Sequence, residues 1–258
     1  SMVAAGKADF GVSYQEDVTY ALTSEDPLPI KTIATIIQHN TSGFVSLKSA
    51  NINSVKDFEG KTYAGWGAPS EEAVIKAVMN EAGADFSKLN IVGSDGSGIA
   101  GLSDEVGKNK VNLGWEFYGW AIIKALQDGY DLNYMPLADL DSRLDYYTPV
   151  IITNNKMIKK NSDTVKKFME ATKKGYEYAI DHPNKAAEIL HEDALSDTDL
   201  KFLKESQKYL SSQYAKDADS WGVMKDSVWD NYTDFMYETG LISQKIDAKD
   251  QYTNEFVK

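Results

Sequence analysis

Short apolar runs alternate with amphipathic segments over the first part of the chain. The runs with the length and composition of strands are 8–13, 31–38, 44–47, 62–65, 90–92, 111–115, 132–135 and 147–153. Between them, Ala73, Val74, Ala77 and Val78 recur at the spacing of one buried helix face, which predicts a helix over 69–82 with proline in its first turn. Strands that alternate with helices predict an α/β architecture with parallel strands.

After Asn161 the apolar positions recur at helical spacing almost to the end of the chain. One predicted helix begins at Asn161 or Ser162 and ends before Pro183. Ser196 and Asp199 resemble a capping box at the start of another. A third apolar stripe is formed by Trp221, Met224, Val228, Tyr232, Phe235 and Met236, before Gly240. We interpret these aromatic residues as core, without a role in a site.

Charge and composition exclude several classes of function. The net charge of −12 argues against broad contacts with nucleic acid or anionic lipid. No apolar run is long enough to span a bilayer, and the first residues do not form a signal peptide. Because cysteine is absent, there can be no disulfide, thiolate metal site or cysteine nucleophile.

Basic residues and known motifs narrow the choice of ligand. Arg143 is the only arginine among 27 basic residues. Arginine is the residue that proteins usually use to bind carboxylate, sulfonate and phosphate groups, because its guanidinium donates paired hydrogen bonds to them. This favours a neutral or cationic ligand. The chain contains no G-x-S-x-G, H-E-x-x-H or phosphate-loop motif, and its three histidines lack metal-ligand spacing. We therefore predict no catalytic residues, no metal and no cofactor.

The segments that follow predicted strands contain the candidate site, because ligands of open α/β sheets bind beyond the carboxyl ends of strands. Residues 113–120 hold four aromatics and Glu116 between glycines, a composition that suits a flat, nitrogen-rich molecule. The alternative is a buried strand leading into a helix. Trp66, between two glycines, needs a surface other than its neighbours, either a ligand or another part of the protein. The complete candidate set is Tyr14, Gln15, Asn40, Ser42, Trp66, Gly67, Glu116, Tyr118 and Tyr146.

Five segments together resemble one family. They are 6–13, 39–46, 60–67, 145–150 and 252–256, and they look like the thiamine-pyrimidine-precursor binding proteins of the NMT1/THI5-like group. The resemblance implies a type II periplasmic-binding-protein fold with two α/β lobes, a hinge and a ligand in the cleft. Crossover strands are expected near 44–49 and 147–153. Lobe I would comprise 1–48 and 148–258, and lobe II 49–147.

The resemblance also exposes a departure at the N-terminus. Family members normally begin with a further strand–helix segment whose loop contacts the ligand, and this chain starts after it. Lobe I is therefore expected to lack strands, which would leave sheet edges open to pairing with a second copy. A dimer, with weakened ligand affinity, is the expected consequence.

The function implied by the resemblance is that of a receptor for an ABC importer, located in the periplasm or on a lipid anchor. It would deliver an aminopyrimidine precursor of thiamine to a permease, without chemistry. Trp66 and Tyr118 would sandwich the ring, Glu116 would accept hydrogen bonds from it, and Ser42, Asn40 and Gln15 would add polar contacts.

Three alternatives remain open at the level of the sequence. A related receptor could bind an alkanesulfonate, nitrate or riboflavin. A pyrimidine synthase, like eukaryotic relatives, is disfavoured because the cysteine-rich motif tied to that activity is missing. A sensor domain that binds the same ligand and signals to a partner would have the same sequence features.

Overall fold

Strands of the second half of the chain pair with strands of the first half in two separate sheets. The structure is a computed structural model that describes residues 2–258. The strands are β1 (Phe10–Ser13), β2 (Ile30–Thr35), β3 (Ser42–Leu47), β4 (Thr62–Gly65), β5 (Asn90–Gly93), β6 (Leu113–Phe117), β7 (Leu132–Pro136) and β8 (Val150–Asn154). One sheet has the order β1-β8-β2 and the other β5-β4-β6-β3-β7. This mixed α/β arrangement agrees with the predicted fold class.

Helices occupy most of the remaining chain. They are α1 (Gln15–Thr23), α2 (Pro69–Glu81), α3 (Ile123–Gln127), α4 (Leu137–Leu140), α5 (Asn155–Lys160), α6 (Ser162–Asp181), α7 (Pro183–Asp193), α8 (Leu200–Ser211), α9 (Asp226–Glu238) and α10 (Ala248–Gln251). None of those formed by residues 2–258 has the length and apolar character needed to cross a membrane.

The chain divides into two units, which differ in their boundaries from the predicted lobes. The first unit ends at Asn40 and resumes at Asp145, and the second is Thr41–Leu144. Strand β3 belongs to the second unit, although the sequence assigned it to lobe I, because it pairs with both β6 and β7. It is thus an interior strand of that unit's sheet.

The first unit buries its aromatic residues around a small antiparallel sheet. Strand β8 pairs antiparallel with β1 and with β2. On one side Trp221 stacks on Tyr176 at 4.4 Å and donates its indole N–H to the Ile36 carbonyl. On another, Trp229 packs in a core with Val18 and Tyr147. The predicted core role of Trp221 is confirmed, although it precedes helix α9.

The second unit combines parallel and antiparallel pairing. Strand β4 runs parallel to β5 and β6, whereas β3 is antiparallel to β6 and β7. The expectation of parallel strands is therefore met only by β4, β5 and β6. The first unit's sheet contains no parallel pair among its three strands. Strand direction depends on pairing between distant segments, which the local apolar pattern does not specify.

Proline residues and acidic side chains determine where several helices begin and end. Pro69 starts α2, and Glu71 and Glu72 lie in its first turn, where a helix favours negative charge. Helix α6 ends before Pro183, as predicted. Helix α8 is capped by Asp199, whose carboxylate accepts from the Lys201 N–H at 2.6 Å, so the cap is Asp199 itself rather than Ser196.

Strand β3 requires glycine at position 43. A Cβ there would collide with the Met135 backbone oxygen, whereas a Cβ at Gly93 would meet nothing within 4 Å. We therefore expect Gly43→Ala to destabilise the protein by about 1–3 kcal/mol, because a packed interior cannot absorb the extra atom. Gly93→Ala should change stability by no more than about 0.5 kcal/mol. Urea unfolding of both variants measures the difference, and equal midpoints would contradict this packing.

Candidate functional site

The C-terminal ends of β4, β5 and β6 lie at one edge of the second unit's sheet because these strands run parallel. Trp66 follows β4 directly, and Glu116 and Phe117 are the last residues of β6. The structure therefore brings together the two residues that the sequence weighted most, Trp66 and Glu116. Both line the same cavity.

The loop that carries Trp66 is held by the buried carboxylate of Glu71 in the first turn of α2. Glu71 Oε1 accepts from the Trp66 N–H at 3.2 Å, and Oε2 accepts from the Gly67 N–H at 2.8 Å. The Tyr63 hydroxyl also donates to Glu71 Oε1. Burial, together with this neighbour, raises the pKa of Tyr63 and keeps it a donor. The loop is thereby fixed to both β4 and α2.

The indole of Trp66 is largely open to solvent. Its side chain is 56% exposed, and its ring meets Trp115 edge-on with 5.1 Å between centroids. Gly67 has a φ of +80°, which a residue with a side chain adopts only with strain, so glycine is required to turn the chain here. The turn leaves much of the Trp66 ring uncovered and able to stack on a flat ligand.

Glu116 is a half-buried carboxylate beside this ring. Burial raises the pKa of its carboxyl group above the ordinary value of 4.5. Its backbone carbonyl lies 3.4 Å from the Tyr134 hydroxyl. Its carboxylate has neither a hydrogen bond nor an ion pair within residues 2–258. A partly desolvated carboxylate of this kind favours a donor that a ligand can supply.

A cavity of about 690 Å³ begins at Trp66 and Glu116 and follows the sheet. It is lined by residues of β3 to β6, by the segment 93–102 and by 108–111. Val45, Ala64, Ile99 and Leu102 supply apolar lining. The glycine-rich segment 93–98, which the sequence suggested only as a flexible loop, is part of the wall.

Trp115 and Phe117, rather than Tyr118, are the aromatic residues of the segment 113–120 that line this cavity. Phe117 is exposed and lines the cavity. Tyr118 begins a π-helical turn, Tyr118–Ile122, outside the cavity lining, and its ring meets Tyr134 at 5.4 Å. The predicted strand ended at 115, two residues early, so the sequence did not single out Phe117 as its last residue.

Two residues predicted to contact the ligand, Tyr14 and Gln15, lie at the start of α1 in the first unit and differ in their exposure to solvent. Tyr14 is exposed at the start of α1. The Gln15 side chain is fully buried, where Oε1 accepts from the Tyr147 N–H at 2.8 Å and Nε2 donates to the Val228 carbonyl at 3.2 Å. Gln15 thus holds α1 against two distant segments.

Tyr146 belongs to a buried cluster around Glu16. Its ring stacks on Tyr232 at 4.0 Å, and both hydroxyl groups donate to Glu16 Oε2, at 3.3 and 3.2 Å. Burial raises the pKa of Glu16, and Asp17 beside it acts in the same direction. The cluster fixes the ring of Tyr146, and sequence reasoning missed Glu16 as its partner.

The remaining two candidates lie on either side of the boundary between the units. Asn40 is buried, and its backbone N–H donates to Asp145 Oδ1 at 2.9 Å. His39 Nδ1 lies 2.7 Å from Asp145 Oδ2, and this hydrogen bond raises the pKa of His39. Ser42 is buried in β3, opposite Phe117.

In the described part of the chain, no three His, Cys, Asp or Glu residues are grouped so that they could hold an ion.

Comparison with known proteins identifies the family to which this chain belongs. The model of the family described as NMT1/THI5 like matches residues 1–186. A formylaminopyrimidine-binding protein from Halalkalibacterium halodurans is 25% identical over 193 residues, which are 73% of this chain and 56% of that protein. The riboflavin-binding protein RibY from Chloroflexus aurantiacus is 25% identical over 255 residues, which are 92% of this chain and 67% of that protein.

The fold also matches solved structures. The alkanesulfonate-binding protein SsuA from Xanthomonas axonopodis pv. citri superimposes with a TM-score of 0.71, over 98% of this chain and 82% of that one. The two sequences are 11% identical. At that identity the likeness establishes the periplasmic-binding-protein fold and leaves the ligand open.

The position of the Trp66 loop should depend on Glu71. We expect Glu71→Ala to destabilise the protein by about 2–4 kcal/mol, because Tyr63 Oη and two backbone N–H groups lose their acceptor. Glu72→Ala, on the exposed side of the same helical turn, is the matched control and should cost less than about 0.5 kcal/mol. Denaturant unfolding compares them. Equal midpoints would show that Glu71 does not hold the loop.

Proposed function

The chain belongs to the NMT1/THI5-like family, and from that premise we propose that it is a solute-binding protein of an ABC importer whose ligand is an aminopyrimidine precursor of thiamine. The observation that carries the proposal is the pairing of an exposed indole, Trp66, with a half-buried carboxylate, Glu116, in one cavity. An extracytoplasmic location, on a lipid anchor or in the periplasm, and a permease partner belong to the same proposal.

An aminopyrimidine matches this pair in shape and in hydrogen bonding. Its flat ring can stack on Trp66, with Phe117 as a second aromatic surface in place of Tyr118. Its exocyclic amine supplies N–H donors, which a carboxylate accepts in a charge-assisted hydrogen bond. Because Glu116 is partly removed from water, that hydrogen bond stabilises the bound ligand more than it would at a fully exposed site.

The positions of other charged groups support an amine-bearing ligand over a sulfonate or nitrate. Arg143, the only arginine, directs its guanidinium to Asp141, with Nη2 to Oδ2 at 2.6 Å. It is also absent from the cavity lining, where Glu116 lies at the Trp66 end and would repel an anion there, while Asp95, Lys108 and Lys110 are the other charged lining residues. Formylaminopyrimidine and riboflavin, the ligands named for two relatives, are both planar nitrogen heterocycles.

The other predicted site residues differ in the roles that we assign to them in this proposal. Tyr14 is exposed, so its side chain is accessible to a ligand. Gln15 and Tyr146 are buried against partners within the protein, so we assign them supporting roles. Asn40, with its N–H on Asp145, and Ser42 are proposed to fix the backbone near the ligand.

Loss of the indole or the carboxylate should weaken ligand binding. For the hydroxymethyl and formylaminomethyl aminopyrimidines, we expect Trp66→Ala to raise Kd by roughly 5- to 150-fold, because stacking on an aromatic side chain is lost. Glu116→Gln should raise Kd by roughly 10- to 150-fold, because a charged acceptor is replaced by a neutral one. Isothermal titration calorimetry measures both.

Matched controls separate this effect from general damage. Trp120 is exposed to a similar extent but does not line the cavity, so Trp120→Ala should leave Kd unchanged. Glu81→Gln, at the end of α2, serves the same purpose for the carboxylate. Binding of neither aminopyrimidine to the wild type, or equal effects of site and control variants, would refute the proposal.

Ligand affinity should depend on pH through Glu116. The ionised carboxylate is the acceptor, so protonation weakens binding. Since burial raises the pKa of Glu116, affinity should start to fall at a higher pH than it would for an exposed glutamate with a pKa of 4.5. Titrations from pH 7.5 down to pH 4.5 should show this loss in the wild type and a flatter profile in Glu116→Gln. Identical slopes would exclude Glu116 as the titrating group.

A further inference from the structure

The cavity extends well beyond Trp66 and Glu116 across a floor of small side chains. The parallel pairing of Tyr63 with Leu113 brings Ala64 beside Gly114, and Ala64 pairs with Val92 on its other side. Because side chains alternate along a strand, Ala64, Val92 and Gly114 lie on one face, which is the face of Glu116. A Cβ added to Gly114 would meet only the Ala64 carbonyl oxygen, at 3.8 Å. Apart from the chain neighbours of Gly114, no other atom of residues 2–258 lies within 4 Å of that added Cβ.

Side chains border the floor on its β3 side and at its far end. The short 3-10 turn Gly98–Gly101 packs Ile99 against Val45 of β3. Leu102 joins the same apolar group. At the N-terminal ends of the strands the lining becomes polar, where Asn90 Nδ2 donates to Thr62 Oγ1 at 3.3 Å and Lys110 approaches. The cavity therefore runs from an aromatic and acidic end, across an apolar middle, to a polar end.

The volume of the cavity exceeds the needs of a single substituted pyrimidine. Pockets of about 300–1,000 Å³ hold ligands of drug size. At about 690 Å³, this cavity lies near the middle of that range. A ring held at Trp66 and Glu116 would leave the Ala64–Gly114 floor uncovered.

We propose that the floor formed by Ala64, Val92 and Gly114 is a second compartment of the binding site. It holds an extension of the ligand beyond the ring at Trp66 and Glu116. The ligand class is thus a planar nitrogen heterocycle that carries an apolar linker or second ring and ends in a polar group. This inference rests on the proposed function for the position of the ring at Trp66, and it names a longer ligand than the precursor proposed there. Ala64 and Gly114 are then the residues that determine how large the extension can be.

The test compares a bare ring with extended rings. The bare ligand is the hydroxymethyl aminopyrimidine. The extended ligands are thiamine, which joins an aminopyrimidine to a second ring with a hydroxyethyl arm, and riboflavin. Calorimetry should give the wild type at least a ten-fold preference for one extended ligand. Gly114→Val fills the floor and should bring that ratio close to one. Ala64→Leu provides a second obstruction.

Gly175→Val is the matched control, because this glycine lies on α6 of the first unit with nothing within 4 Å of an added Cβ. It should leave the preference unchanged. Thermal unfolding establishes that each variant is folded, and Ala64→Leu replaces Gly114→Val if the latter is not.

The outcomes separate this inference from the proposed function. If the bare ring binds at least as tightly as both extended ligands, the second compartment is refuted and the aminopyrimidine receptor stands. If the preference survives both floor variants, the compartment is likewise refuted. If only riboflavin binds and Gly114→Val removes that binding, the compartment stands and the aminopyrimidine assignment falls. Binding of none of the three ligands refutes both.

Discussion

The hydrogen bonds to the buried Glu71 carboxylate are the interaction on which the candidate site depends. A carboxylate is costly to bury unless its oxygens are satisfied, and here a hydroxyl and two backbone N–H groups satisfy them. The same bonds fix the backbone of Trp66 and Gly67 relative to β4. An exposed indole loses orientational freedom when a ligand stacks on it, and a fixed backbone reduces that loss. In the proposed site, Glu71 therefore affects ligand binding only through the position of Trp66.

The sequence predicted most strands and helices but not their pairing. Apolar periodicity is local, so segments such as 62–65 and the helix that begins at Pro69 could be located from it. The position of β3 between β6 and β7 depends on segments about 70 and 90 residues away in the chain. The need for glycine at position 43 becomes visible only once β7 is in place, because the obstructing atom belongs to Met135.

Residues of the site were predictable to the extent that their surroundings are local. Trp66 and Glu116 follow from the rule that ligands bind beyond strand ends, and the structure brings them into one cavity. Gln15 fits the same rule, yet its side chain is occupied by Tyr147 and Val228, which are 132 and 213 residues away. Phe117 lies in the aromatic segment that the sequence singled out but was not chosen from it, because the predicted end of β6 was two residues early and did not mark Phe117 as the strand end.

In the proposed site, the preference for an amine over an anion depends on which charged side chains of this acidic chain are already paired with one another. Most exposed carboxylates can be screened by water and salt, so they contribute little to the choice of ligand. Glu116 is different, because it is half-buried and has no cation beside it in the described chain. An anionic ligand would have to approach this charge without the Arg143 guanidinium, which is bound to Asp141. A ligand with N–H donors meets an acceptor already directed toward the cavity. In the proposed site, the Glu116 carboxylate therefore governs the choice of ligand at the Trp66 end, while Lys108 and Lys110 also line the cavity.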